Sequence, residues 1–106
     1  MNDIRIPERV IVNEAEEEFE FFEAKNYKVI LWNDNYTLFT VVTCILTEVF
    51  ELEKEKAVEK AIEAHTKGKS LIKGYESLGV CNQKIEEANQ LTEMIGVRPL
   101  RLSIEE

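Results

Sequence analysis

Little in this sequence could hold a metal, close a disulfide or cradle a phosphate. It has one histidine and two cysteines, Cys44 and Cys81, with no CxxC spacing. Structural zinc sites need four nitrogen or sulfur ligands at short spacings, so none is expected. Two scattered cysteines suit a reducing compartment better than a disulfide framework. The four glycines form no phosphate-binding loop, and neither GxSxG nor HExxH occurs. No apolar run approaches the roughly 18 residues of a membrane span, and no basic-then-apolar leader opens the chain. Positive charge is also scarce, with 13 lysines and arginines against 21 acids and a net charge of −8. Nucleic acid is excluded as an expected partner, because neutralising phosphates needs a basic face. A Cys–His pair with His65 is the one nucleophile left, and both cysteines fall on predicted buried helix faces, where thiols are inert. No catalytic residue and no cofactor is expected.

What is present divides at residue 26. Residues 1–26 hold eight acids and three bases, and residues 27–106 hold thirteen acids and ten bases. The stretch EAEEEFEFFEAK mixes acids with three phenylalanines and has no clear core period. Self-repulsion makes 1–26 an expected flexible acidic extension, leaving 27–106 as one core domain. YKVILW (27–32) is a β-rich run ended by Asn33, Asp34 and Asn35. Val41, Val42, Ile45, Leu46, Val49 and Phe50 mark one face of a helix. A second helix is expected over 53–67, with Ala57, Val58, Ala61, Ile62, Ala64 and His65 on one side and Gly68 as its stop. KSLIKGYE (69–76) reads as a strand with Gly74 a possible bulge or close approach. Cys81, Ile85, Ala88, Leu91 and Ile95 mark a third helix closed by Gly96, and RPLRLSIE (98–105) alternates as a half-buried strand. Pro99 puts the start of that strand at an unpaired position. The order β-α-α-β-α-β predicts a two-layer α+β domain, a three-stranded sheet packed on three helices.

The polar residues worth weighing are Asn33, Asp34, Asn35 and Thr37 after the first strand, and His65 near the end of the second helix. Each has a plain explanation. Asn and Asp favour turns because their side chains bond nearby backbone N–H groups. A lone histidine on a partly apolar helix side is more often a satisfied, half-buried residue than a ligand.

Taken together, YKVILWNDNYT, the apolar helix and AIEAHTKGKSLIKG resemble the ClpS family. The family pattern runs YKV, a hydrophobic residue, LNDDYTPMEFV, then HxxGK, then a KxxxxN stretch and a terminal strand. Here HTKGK is His65 to Lys69 and KIEEAN is Lys84 to Asn89. The resemblance spans about 27–105. It implies a fold shared with the C-terminal domain of the ribosomal stalk protein. It also implies a non-catalytic, monomeric adaptor, in a bacterial cytoplasm or plastid stroma, that passes N-degron proteins to a Clp unfoldase of the ClpA or ClpC type. By the same resemblance the α-ammonium of a protein's first residue meets Asn33, Asp34, Asn35 and His65. An ammonium has three donors, so convergent oxygens and a neutral imidazole nitrogen suit it. The first side chain would enter a pocket walled by Leu31, Trp32, Thr37, Phe39, Val42, Ala61, Ala64 and Leu100. Burying a large apolar side chain contributes about 1.5–3 kcal/mol, and each hydrogen bond with a charged group about as much. Together they reach micromolar affinity, near about −8 kcal/mol, after association costs.

Several residues depart from the family pattern. Asn35 replaces the second aspartate, Leu38 the usual proline, and Phe39 a methionine that screens out β-branched side chains. Ala61 and Ala64 stand where larger residues are common. Close packing turns such changes into altered preference among Leu, Phe, Tyr and Trp. Lys84 matches a family lysine on the unfoldase docking surface, although Gly79 replaces the acid there. Two other readings fit the charge and helix pattern equally: a structural interaction domain like the stalk fold, and a divergent ClpS paralogue with altered specificity.

Overall fold

Why a strand forms at Tyr27–Trp32 is visible in its pairing as well as its letters. The computed structural model describes residues 27–106; the expected flexible extension lies outside the described residues. Strand β1 (Tyr27–Trp32) is followed by α1 (Phe39–Glu48), α2 (Lys54–Lys67), β2 (Lys69–Tyr75), α3 (Leu78–Ile95) and β3 (Leu102–Glu105). The sheet order is β2-β1-β3, with both pairs antiparallel. The most apolar strand therefore takes the centre, hydrogen-bonded on both edges, which suits Val29, Ile30 and Leu31, all buried. Helices α2 and α3 pack on the sheet and α1 packs on α2, giving the expected α+β domain. Among the described residues no helix is long and apolar enough to cross a membrane.

The core is built where the three layers of contact meet. Val29, Leu31 and Ile72 from the sheet join Ile45, Leu46, Val49 and Phe50 of the α1 segment, Ala57 and Ala64 of α2, and Cys81 and Ala88 of α3. Phe50 is fully buried, and its carbonyl accepts from Lys73 Nζ at 3.0 Å. The small residues of α2 let it lie close to the sheet. Lys60 is buried among them, with Nζ 3.9 Å from Glu63 Oε1, and Glu63 Oε1 also accepts from the buried Ser70 hydroxyl at 2.6 Å.

Several expectations need correction. The bulge falls between Val29 and Ile30, where Lys73 and Leu71 face them, and not at Gly74, which pairs with Lys28. The last strand begins at Leu102 because Val97–Arg101 approach as a connection; Trp32 N–H donates to the Arg101 carbonyl at 2.8 Å, and Pro99 has no N–H to offer. On α1, Cys44 is exposed, since the helix turns the face around Ile45, Leu46 and Val49 inward. Ile62, His65 and Ile95 are exposed, whereas Thr92 is fully buried with its hydroxyl donating to the Asn89 carbonyl. A helix can bury a threonine whose hydroxyl bonds its own preceding turn, and this has no signature in a hydrophobic period.

Candidate functional site

The NDN turn is built by one carboxylate. Asp34 Oδ1 accepts from the backbone N–H groups of Tyr36 (2.8 Å) and Thr37 (2.7 Å), and Oδ2 accepts from the Thr37 hydroxyl (2.9 Å). These bonds fix the chain as it leaves β1 and aims it into α1, whose first N–H groups find no side-chain cap at Leu38. Partial burial by itself would raise the Asp34 pKa. The three hydrogen bonds and the positive charge of Arg101 outweigh it and hold the carboxyl below its ordinary value.

Three longer-range bonds hold this turn, one at the end of α2 and two on the chain that leads into and forms β3. Asn33 N–H donates to the Gly68 carbonyl at 3.0 Å, so the turn is tied one residue beyond the end of α2. Gly68 itself has φ +93°, the left-handed conformation that stops the helix, with its N–H bonded to the Ala64 carbonyl. On the other side, Arg101 Nη1 donates to the Asn33 carbonyl at 2.9 Å. Trp32 Nε1 donates to Ser103 Oγ at 2.7 Å, and Lys69 Nζ lies 5.2 Å from the centre of its ring. Asn33 and His65, 32 residues apart, are thereby brought to one opening.

That opening leads into a cavity of about 400 Å³ lined by Leu31, Trp32, Asn33, Asp34, Asn35, Thr37, Leu38, Phe39, Val42, Ala61, Ala64 and His65. Leu31, Ala61 and Ala64 are buried and Val42 half-buried; Asn35, Leu38, Phe39 and His65 are exposed. The result is an apolar space with a polar rim, and its volume sits at the small end of the roughly 300–1,000 Å³ typical of ligand sites. Among the described residues the side chains of Asn33, Asn35 and His65 make no hydrogen bond or ion pair. Asp34 differs, with its carboxylate already engaged in its own turn. It still brings a negative charge to the rim, and a carboxylate accepting three bonds keeps about one of its lone-pair positions.

All the residues expected to bind an α-ammonium line this cavity, as does every expected wall residue except Leu100. Leu100 is buried in the core cluster beside Leu31 and Ala64, which belong to both the core and the cavity wall. Leu38 lines the cavity without having been expected there; its place between Thr37 and Phe39 in a single turn was the available signal. Neither cysteine lines the cavity, so no Cys–His pair forms there; burial pushes the Cys81 thiol up. Lys84 does not line the cavity; it is half-buried on α3, with Nζ 4.0 Å from Glu51 and 3.8 Å from Glu87.

Comparison with known proteins agrees with this fold. Residues 22–103 match the family described as ATP-dependent Clp protease adaptor protein ClpS. Among curated relatives, ClpS of Shewanella halifaxensis is 36% identical over 89 residues, covering 84% of this chain and 85% of that one. ClpS of Bdellovibrio bacteriovorus is 35% identical over 82 residues, covering 77% of this chain and 70% of that one. A structure of Agrobacterium tumefaciens ClpS2 bound to L-phenylalaninamide superposes with a TM-score of 0.67 at 32% identity, covering 76% of this chain and 95% of that one. The chain belongs to the ClpS family of Clp protease adaptors.

Proposed function

We propose that this adaptor binds the free N-terminus and bulky apolar first side chain of N-degron proteins and delivers them to a Clp unfoldase for degradation. The observation that carries the reading is the pairing of unengaged Asn33, Asn35 and His65 side chains with an apolar cavity large enough for a bulky side chain. A structural interaction domain would have no use for unpaired acceptors above an open pocket. L-Phenylalaninamide, bound by the Agrobacterium relative, has a free ammonium, a benzyl side chain, and an amide that stands in for the first peptide bond.

On this reading the Asn33 amide oxygen and a neutral imidazole nitrogen of His65 accept from the ammonium, and Asp34 supplies the countercharge. The side chain descends past Phe39 and Leu38 toward Leu31, Val42, Ala61 and Ala64. The two alanines leave room at depth, while Phe39 adds bulk at the rim, which shifts the preference among Leu, Phe, Tyr and Trp. Lys84 would belong to the surface that meets the unfoldase N-terminal domain, on a different part of the molecule.

Fluorescence anisotropy with Phe-, Leu-, Tyr- and Trp-initiated peptides, free and N-acetylated, tests the reading. Acetylation removes the charge and two donors, and should weaken binding by about tenfold or more, the worth of one charge-assisted hydrogen bond. Equal affinity for both forms would sink it.

A further inference from the structure

The rim of the first cavity is also the rim of a second. Asn33, Asp34 and Asn35 line both, and the second, about 360 Å³, is completed by Tyr36, Arg98, Pro99 and Arg101. Its charged residues are one acid and two arginines, a formal balance of +1 on a chain whose net charge is −8. At the position where the family pattern has a second aspartate, Asn35 contributes no charge. Both arginines are exposed and neither forms an ion pair among the described residues. Both are held in place. The Arg98 guanidinium lies 4.0 Å from the centre of the Tyr36 ring, and Arg101 gives one of its donors to the Asn33 carbonyl. A guanidinium has five N–H donors, so each keeps most of its hydrogen-bonding capacity, and stacking or anchoring lowers the entropy lost when it takes a partner.

We infer that the arginine-lined cavity formed by Tyr36, Arg98, Pro99 and Arg101 is a second subsite that selects acidic side chains at the second or third position of the bound polypeptide. The inference rests on the proposed α-ammonium site. If the first residue's ammonium sits at Asn33 and His65, its peptide bond begins at the same rim. One or two further residues, each about 3.3–3.6 Å long when extended, cross the Asn33–Asn35 shoulder into the second cavity. There a glutamate or aspartate meets two pinned guanidiniums that face a single acid, Asp34, in the cavity lining. A lysine or arginine at the same position meets like charges instead, so the subsite discriminates in both directions.

The test compares Phe-Gln-Gln, Phe-Glu-Glu and Phe-Lys-Lys peptides of otherwise identical sequence, each with free and acetylated N-terminus, binding the full chain by anisotropy. At low salt the Glu-Glu peptide should bind about three- to tenfold more tightly than the Gln-Gln peptide, the size of one or two solvent-facing ion pairs, and Lys-Lys the most weakly. The spread should shrink at about 0.5 M salt, where screening acts within a few ångströms. Arg98→Gln should reduce the Glu-Glu advantage, and Arg98→Glu should reverse the order of Glu-Glu and Lys-Lys, a change that mere loosening of the turn cannot produce. Equal affinity of the three free peptides, all still weakened by acetylation, overturns the second subsite and leaves the ammonium site standing. Affinity indifferent to acetylation overturns both.

Discussion

Asp34 is the residue whose role changes most between sequence and structure. As a letter in the NDN stretch it is a candidate partner for an ammonium; in the fold it first builds the turn that carries Asn33 and Asn35. Its lowered pKa fixes the sign of a pH effect. A carboxyl whose folded pKa is depressed contributes stability in full above its unfolded pKa, about 4, and loses it as pH falls through the folded value. Asp34→Ala should therefore cost about 1 kcal/mol at neutral pH, comparable to removing a helix cap, and urea unfolding measures it. Near pH 3 the gap between the variant and the parent should narrow. A gap that stays constant from pH 7 to 3 would show that the charge contributes nothing. Tyr75 behaves oppositely: burial, with the nearby Cys81, Glu51 and Glu87, pushes its phenol well above the ordinary range, and its buried hydroxyl has no hydrogen-bond partner among the described residues.

At the level of elements, the site depends on how α2 ends. Gly68 stops the helix in a left-handed conformation, and its carbonyl receives the Asn33 N–H. A Cβ placed there would touch nothing, so its cost is purely conformational. Gly68→Ala should destabilise the fold by about 1–2 kcal/mol, the penalty for a non-glycine residue in that region. It should also weaken peptide binding by more than the unfolded fraction explains, because the same residue holds the turn opposite His65. Differential scanning calorimetry combined with peptide titration separates the two effects. The caps and stops of these helices were legible in the sequence: Gly68 and Gly96 both close helices as expected. The start of the last strand was not, because Arg98–Arg101 have strand-like alternation and only the Trp32–Arg101 bond shows where the ladder begins.

For the whole molecule, Lys84 lies on α3 and does not line the candidate cavity, so on the proposed reading a peptide and an unfoldase would meet different residues. The acidic segment 1–26 would serve delivery and not recognition. Removal of residues 1–25 should leave peptide affinity unchanged while degradation of an N-degron reporter by the Clp protease falls; a parallel loss of affinity would reject that division of labour. The sequence by itself determined the element order, the sheet-plus-helix class, the helix-ending glycines and, through its family likeness, which polar letters to watch. Those properties depend on local conformational preference and on apolar periods, both carried by neighbours in the chain. Tertiary structure alone decided that Leu100 belongs to the core, that Asn33 is tied to Gly68, and that Arg98 and Arg101 stand beside the rim. Each of those depends on a meeting between residues far apart in the chain, and no short stretch of sequence contains both partners.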